Sequence, residues 1–228
     1  MSYATVLFDL DHTLFDSDES ERLAYQFTMR SVGLDDPAAH FDRYVSINRE
    51  MWAAVEAGAM RTDEVRHRRF ERFVSELSLD ADPDAMAHQF VDGLARHGEL
   101  YPGARSVLES LTEHVSLALV TNGLSEVQRT RIERLDLERF FDAVVISSEV
   151  GVSKPRPQIF DLTFDLLGRP DPAAALMVGD SLSSDMRGAR DYGIDACWFN
   201  PHGGTPDEPV THQIDHLEAL ITIVRQMA

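Results

Sequence analysis

The feature that most constrains the fold is a series of five short apolar runs. They are spread along the chain and separated by polar or helix-like sequence. Runs this short, rich in β-branched and aromatic residues, are typical of strands buried on both faces of a parallel sheet. The predicted strands are Ala4–Phe8, Val115–Val120, Ala143–Ile146, Ala175–Val178 and Asp195–Phe199. Helical patterns follow them at Ala104–Glu113, Ser125–Leu135, Pro157–Leu167, Ser183–Tyr192 and Asp215–Met227. This alternation predicts an α/β fold built on a doubly wound parallel sheet with right-handed crossovers.

The alternation is interrupted between the first and second strands by a long stretch with helical periodicity and no strand pattern. Capping residues, stop signals and short connections there predict a bundle of four helices. These helices are expected to begin near Asp18, Phe41, Thr62 and Asp82. The sequence therefore predicts a core domain of residues 1–15 and 101–228, and an inserted helical domain of residues 16–100. Phe15-Asp16 and Leu100-Tyr101 would be the hinges.

The charge and the cysteine content restrict the partners and the compartment. A formal charge of −18 argues against a nucleic-acid polymer or an anionic membrane surface as a partner, since both are negatively charged. The one cysteine, Cys197, cannot form an intramolecular disulfide, which fits a reducing compartment. We find no signal-peptide pattern before the first strand and no apolar stretch long enough to cross a bilayer. These observations predict a cytoplasmic protein, and they leave open whether it is a monomer or a homodimer.

Two carboxylates follow the first predicted strand, in the sequence Asp9-Leu-Asp11-His-Thr13. Side chains at i and i+2 point the same way in an extended chain, so both carboxylates can face one volume. Like charges at such short range require a cation or a shared proton. The motif indicates a magnesium site, an acid–base site or both, although taken alone it also fits a solvated turn.

Polar residues also follow the other predicted strands. Thr121-Asn122 comes after the second strand, and Asp180 comes after the fourth with Asp185 one turn later. Lys154, the only lysine in the chain, precedes the helix after the third strand. Each residue alone could be a helix cap, but the carboxyl ends of parallel strands share one edge, so we expect these groups to converge.

The converging groups match phosphoryl transfer from a phosphate monoester. This reaction needs a nucleophile, a proton donor for the leaving oxygen and positive charge around the phosphate. An aspartate can attack phosphorus, and oxygen ligands in an acidic pocket suit Mg²⁺. Lys154 would neutralise further charge, and the Thr121 hydroxyl would help to hold the phosphate.

The four motifs together resemble those of the haloacid-dehalogenase-like (HAD) superfamily over nearly the whole chain, and imply its Rossmann-like core with an inserted cap. By this resemblance Asp9 is the nucleophile, and Asp11 is first the general acid and then the base. Mg²⁺ would be held by the Asp9 carboxylate, the Asp11 backbone carbonyl and Asp180. The remaining roles implied are support of the metal ligands by Asp185 and phosphate binding by Thr121, Asn122 and Lys154.

A narrower resemblance, to the bacterial pyrimidine 5′-nucleotidase branch, rests mainly on Phe15, Asn48–Trp52, His67–Phe70 and Ile146–Lys154. It implies a pyrimidine nucleoside 5′-monophosphate as the substrate. Asn48 is a candidate for binding the base edge, because an amide both donates and accepts.

Other cap residues are expected to have structural roles. Trp52 and Phe70 fit a bundle core better than a base-stacking platform, and His67 and Arg68 fit a solvated helix face.

Three other functions remain open from the sequence. Phosphoglycolate or sugar-phosphate hydrolysis would use the same core chemistry with a different cap. A 2-haloacid dehalogenase would need neither a metal nor a proton donor, and would leave Asp11 unused. A non-catalytic phosphate sensor would need neither the second aspartate nor the four-helix insertion.

Overall fold

The computed structural model describes residues 3–33, 36, 38–206 and 208–225. These residues contain one six-stranded sheet in which every neighbouring pair of strands is parallel. In chain order the strands are β1 (Thr5–Phe8), β2 (Ser116–Thr121), β3 (Ala143–Ile146), β4 (Ala175–Gly179), β5 (Asp195–Phe199) and β6 (His212–Ile214). Their order across the sheet is β3-β2-β1-β4-β5-β6. The doubly wound α/β sheet predicted from the sequence is confirmed, with β1 between β2 and β4.

Both faces of the sheet are buried, which explains why its strands are continuous apolar runs. Successive side chains of a strand point to opposite faces. In β1, Val6 and Phe8 belong to one apolar cluster and Leu7 belongs to the other. In β4, Leu176 packs with the first cluster and Met177 with the second.

The described residues form ten α-helices, four of them inserted between β1 and β2. The inserted helices are α1 (Ser17–Ser31), α2 (Phe41–Glu56), α3 (Thr62–Leu77) and α4 (Pro83–Arg96). The others are α5 (Ala104–Thr112), α6 (Ser125–Arg134), α7 (Ser147–Val150), α8 (Pro157–Leu166), α9 (Arg187–Tyr192) and α10 (Ala219–Arg225). None of the helices described here is long and apolar enough to cross a membrane.

The inserted helices have an apolar core of their own, separate from the two clusters of the sheet. Its centre is aromatic: Tyr25, Tyr44, Phe70, Phe73 and Phe90 are all fully buried. The ring centroids of Tyr44 and Phe90 lie 5.2 Å apart, and those of Phe70 and Phe90 lie 5.3 Å apart. Phe70 is thus a core residue, as expected from the sequence.

The two connections between the sheet and the inserted helices lie side by side. The N–H of Asp16 donates to the carbonyl of Glu99, and the N–H of Tyr101 donates to the carbonyl of Leu14, both at 2.9 Å. The two predicted hinges are therefore hydrogen-bonded to each other where the chain leaves and re-enters the core.

The four inserted helices begin within one residue of the predicted starts, but neither Asp18 nor Thr62 is an N-cap as their patterns indicated. The N-cap of α1 is Asp16, whose side chain accepts from the N–H of Glu19, because Asp18 already lies inside the first turn. Thr62 is the first residue of α3 rather than its cap. Its hydroxyl instead contacts the Ser153 hydroxyl at 3.1 Å.

Two core helices also differ from the prediction. A short π-helical turn, Leu182–Met186, precedes α9. The last helix begins at Ala219 instead of Asp215, because β6 ends at Ile214. The predicted end of this helix, Met227, lies outside the described residues.

Candidate active site

The carboxyl edge of the sheet opens into a cavity of about 470 Å³ that the inserted helices also line. Six of the eight site residues predicted from the sequence line it: Asp9, Asp11, Asn48, Asn122, Lys154 and Asp180. The other two, Thr121 and Asp185, are fully buried. The hydroxyl of Thr121 accepts a 2.8 Å hydrogen bond from the side-chain amide of Gln128. The predicted convergence at this edge is observed, with Thr121 held beneath the cavity surface.

Lys154 is a buried cation beside Asp9. Its side chain is 1% exposed, and its Nζ lies 2.5 Å from Asp9 Oδ1 and 2.7 Å from Asp185 Oδ1. Burial alone would lower the pKa of Lys154, but the attraction of Asp185 and Asp9 outweighs it and raises that pKa. The ammonium therefore stays charged.

The Asn122 side chain holds the backbone of Lys154. Its Oδ1 accepts from the Lys154 N–H, and its Nδ2 donates to the Lys154 carbonyl, both at 2.9 Å. This pair of hydrogen bonds links the end of β2 to the segment that carries the lysine. In this structure the Asn122 amide positions Lys154.

Three carboxylates gather beside Lys154. Asp9, Asp180 and Asp185 each offer one oxygen, and these oxygens lie within 4.8 Å of one another. Burial, together with the nearby Asp185 and Asp180, raises the pKa of Asp9 in spite of Lys154. Burial and Asp185 raise the pKa of Asp180 to about 8. Ionising all three carboxyl groups at neutral pH would therefore need more positive charge than one lysine supplies, and their hard oxygen donors fit a divalent cation such as Mg²⁺.

The approach of Asp185 depends on a glycine at the end of β4. A Cβ at Gly179 would collide with the Asp185 carboxylate. The same carboxylate accepts from the Ser181 N–H at 3.1 Å. The Gly179-Asp180 pair in the sequence therefore gives Asp185 the space to reach Lys154.

Asp11 has a different set of partners from Asp9. Its Oδ1 accepts from the Ser17 hydroxyl at 2.5 Å and from Arg131 Nη1 at 2.6 Å, and its Oδ2 accepts from Gln128 Nε2 at 2.5 Å. Burial would raise the pKa of Asp11, but Arg131 and these hydrogen bonds lower it. Each of the two motif carboxylates thus has its own basic partner.

On the side formed by the inserted helices, the cavity is lined by hydrogen-bonded polar side chains from three of these helices. Asn48 Nδ2 donates to Glu21 Oε1 at 2.5 Å, and Arg69 Nη1 donates to Asn48 Oδ1 at 3.2 Å. Arg69 is 2% exposed, and its guanidinium lies 4.4 Å from the centroid of the Phe90 ring. Its Nε and Nη2 find no hydrogen-bond partner among the described residues. A buried charge with free donors in a cavity is suited to an acceptor on a ligand.

Among the remaining cap candidates, His67 and Arg68 lie where they were expected, whereas Trp52 is only partly a core residue. Trp52 packs against the aromatic core of the insertion and also lines the cavity. His67 and Arg68 lie on the outer surface, where they pair with Asp84 and Glu64. Neither lines this cavity.

Four site residues were not identified from the sequence: Glu21, Arg69, Gln128 and Arg131. Gln128 and Arg131 are spaced i, i+3 on the helix after β2, which places both on one face. That spacing was the available signal, but it is equally typical of a solvated face.

Comparisons with known proteins cover both the sheet and the inserted helices. A family model for haloacid dehalogenase-like hydrolases matches residues 3–193. Pyrimidine 5′-nucleotidase YjjG of Escherichia coli (strain K12) is 35% identical over 202 residues, which cover 89% of this chain and 88% of that protein. Pyrimidine 5′-nucleotidase PynA of Streptococcus pneumoniae is 33% identical over 203 residues, with coverage of 89% and 86%. A crystal structure of the HAD-hydrolase YfnB from Bacillus subtilis bound to magnesium superimposes with a TM-score of 0.90 at 30% identity, covering 99% of this chain and 100% of that one.

Proposed function

Because the chain belongs to the family of haloacid dehalogenase-like hydrolases, we propose that it is a Mg²⁺-dependent phosphatase that cleaves a small phosphate monoester. The observation that carries this proposal is the placement of Asp9. Its buried carboxylate lies against Lys154 and within the Asp9, Asp180 and Asp185 cluster, at the base of a cavity enclosed by the inserted helices. A carboxylate nucleophile needs such surroundings to approach an anionic phosphate.

In the proposed reaction Asp9 attacks phosphorus and forms an aspartyl phosphate, while the ester oxygen leaves. Asp11 enters the cycle protonated and gives its proton to the leaving oxygen, and the resulting carboxylate then takes a proton from the water that hydrolyses the intermediate, which restores the starting form. Lys154 neutralises charge beside Asp9, and Asn122 keeps the lysine in place. The Thr121 hydroxyl and the backbone at Asn122 are the proposed phosphate contacts.

The proposed metal ligands are the Asp9 carboxylate, the Asp11 backbone carbonyl and Asp180, with Asp185 supporting them. Bound Mg²⁺ supplies positive charge that lets two anions approach each other. The relative YfnB was crystallised bound to magnesium, which supports this assignment.

A pyrimidine nucleoside 5′-monophosphate is the proposed substrate. Two relatives are pyrimidine 5′-nucleotidases, and a cavity of about 470 Å³ lies in the usual range for small-molecule sites. The amide of Asn48, with Glu21 and Arg69 beside it, offers both donors and acceptors to the polar edge of a base.

The inserted helices, residues 16–100, are proposed to act as a cap that closes over the bound ester and excludes water. The structure of YfnB reveals interdomain movement, which supports a mobile cap here. The expected movement is a rotation about the paired connections at Asp16 and Tyr101.

Phosphoglycolate is the second candidate substrate. The buried Arg69 guanidinium, with its two free donors, could bind a carboxylate as well as a base carbonyl. The neighbouring Glu21 disfavours this reading, because it would repel a second carboxylate.

A phosphate-release screen tests the proposal. Uridine, thymidine, cytidine and adenosine 5′-monophosphates would be compared with phosphoglycolate and sugar phosphates, with Mg²⁺ and with a chelator. We expect Mg²⁺-dependent release, fastest from pyrimidine nucleotides, and none from the Asp9→Asn variant.

Asp92→Asn is the matched control, since Asp92 is an exposed carboxylate that pairs with Arg96. Release without a divalent cation, or full activity of Asp9→Asn, would reject the mechanism. A clear preference for phosphoglycolate would replace the substrate assignment and leave the mechanism in place.

A further inference from the structure

Arg131 is a buried cation that the proposed chemistry does not use. It lies on α6, and its side chain is 4% exposed. Its Nη1 lies 2.6 Å from Asp11 Oδ1, and its Nη2 donates to the Ser20 hydroxyl at 3.0 Å. Its Nε donates to the Leu94 carbonyl at 3.1 Å, and its guanidinium lies 4.2 Å from the centroid of the Phe15 ring. All three nitrogens and one face of the group are therefore occupied.

The partners of Arg131 come from parts of the fold that the hinges connect. Asp11 belongs to the catalytic loop after β1, and Phe15 is at the first connection to the insertion. Ser20 lies in α1 and Leu94 in α4, the first and last inserted helices. The Arg131 side chain, which belongs to the core, thus contacts the loop after β1, the first hinge, and the first and last helices of the cap.

The carboxyl group of Asp11 is held entirely by protein donors. Arg131 and Ser17 bind Oδ1, and Gln128 binds Oδ2. A change in any of these donors would change the direction in which the carboxyl group faces the cavity that it lines. Ser17 belongs to α1, so a shift of the inserted helices relative to α6 would change these contacts.

We propose that Arg131 is a positioning residue that couples the placement of the cap to the orientation of Asp11. A guanidinium is planar and rigid, so its nitrogens cannot move independently. A displacement of Ser20 or Leu94 therefore alters the direction of the Nη1–Asp11 contact. The proposal rests on the function proposed above, in which Asp11 protonates the leaving oxygen.

The dependence of the rate on the leaving group distinguishes a role of Arg131 in positioning Asp11 from a purely structural role. An alkoxide leaves only when it is protonated, whereas p-nitrophenolate leaves without a proton. Misplacing Asp11 should therefore slow alkyl esters selectively. A general loss of folded or active enzyme would slow both classes of ester equally.

The test compares wild type with Arg131→Lys, which keeps the charge but provides a single nitrogen. For the preferred alkyl ester, kcat/KM should fall by about 10²-fold. For p-nitrophenyl phosphate it should change by no more than about threefold, because the acid contributes little there. Arg129→Lys is the matched control, since Arg129 also lies on α6 but pairs with Glu149 of the core rather than with the inserted segment. It should leave both rates unchanged.

A second variant tests the proposal even if Arg131→Lys fails to fold. Ser20→Ala removes the Nη2 acceptor, together with the hydrogen bond that the Ser20 hydroxyl donates to the His97 carbonyl, and should produce a smaller loss with the same selectivity for alkyl esters. In the Asp11→Asn background, Arg131→Lys should cause no further loss, because both changes affect the same step.

Equal losses on both esters, unchanged rates, or additive effects in the double variant would overturn the role of Arg131. Failure of wild type to release phosphate from either ester would instead refute the proposed function.

Discussion

Removal of the Lys154 charge should produce the largest stability change at the site, and Lys154→Met tests it with little change in side-chain length. The ammonium is 1% exposed and contacts two carboxylates, at 2.5 Å and 2.7 Å. Breaking a buried ion pair by removing one partner costs about 3–5 kcal/mol. Stabilities of natural domains are about 5–15 kcal/mol, so this loss would be a large fraction of the total.

The stability lost in Lys154→Met should depend on pH, and the loss should become smaller as the pH falls. The pKa of Asp9 is already raised above its usual value by burial, and removal of Lys154 would raise it further. Between the usual and the raised pKa the folded variant binds more protons than the unfolded chain, so its stability increases as pH falls. Compared with wild type, the deficit should be larger at about pH 8 than at about pH 5.

Urea unfolding of wild type and Lys154→Met at both pH values, in the presence of a chelator, measures this effect. The matched control is Arg134→Met, which removes a partly exposed cation from α6. Surface ion pairs contribute about 0–1 kcal/mol, so the control should lose little. A Lys154→Met variant as stable as wild type at the higher pH would refute the reasoning. A deficit that does not change with pH would refute it as well.

The other predictions concern activity and binding. In Asp11→Asn, kcat/KM should fall by about 10²–10⁴-fold for alkyl phosphates and much less for p-nitrophenyl phosphate, because kcat/KM excludes the hydrolysis of the shared intermediate and only the alkoxide needs a proton; equal losses in kcat/KM would remove its acid role. Lys154→Arg should not restore normal turnover despite its charge, since a planar guanidinium cannot replace a compact ammonium between two carboxylates; near-normal kinetics would contradict this. Asp180→Asn should abolish the rise in melting temperature that Mg²⁺ causes in wild type, and an unchanged rise would place the metal elsewhere. Arg69→Met should raise KM for the preferred nucleotide by about 10- to 100-fold, the loss expected for a charged hydrogen bond, with p-nitrophenyl phosphate as the unaffected comparison.

The core of the site was predictable because backbone rules alone bring its residues together. Parallel strands end at one edge, so Asp9, Asn122 and Asp180 converge whatever surrounds them. Lys154 could be singled out because it is the only lysine in the chain. The apolar runs of β1 to β5 are long enough to be recognised, whereas the three residues of β6, His-Gln-Ile, carry no such pattern.

The residues that surround this core could not be predicted, for two physical reasons. Arginines are abundant: the chain has 21 basic residues and one lysine, which leaves 20 arginines. Nothing local distinguishes buried Arg69 and Arg131 from those on the surface. Glu21 had a sufficient local explanation in the sequence Asp18-x-x-Glu21, which is typical of a capping box, and its contact with Asn48 depends on how α1 packs on α2. Contacts of this kind depend on tertiary packing, which local patterns do not encode.

Direct detection of a phosphorylated Asp9 is the most decisive measurement. Wild-type enzyme would be mixed with substrate and Mg²⁺, quenched in acid within one turnover, and analysed by intact-protein and peptide mass spectrometry. One phosphoryl group should be found on the peptide that contains Asp9, and it should be absent in Asp9→Asn. Steady turnover with no phosphorylated protein at any quench time, or a phosphoryl group on another residue, would contradict the account.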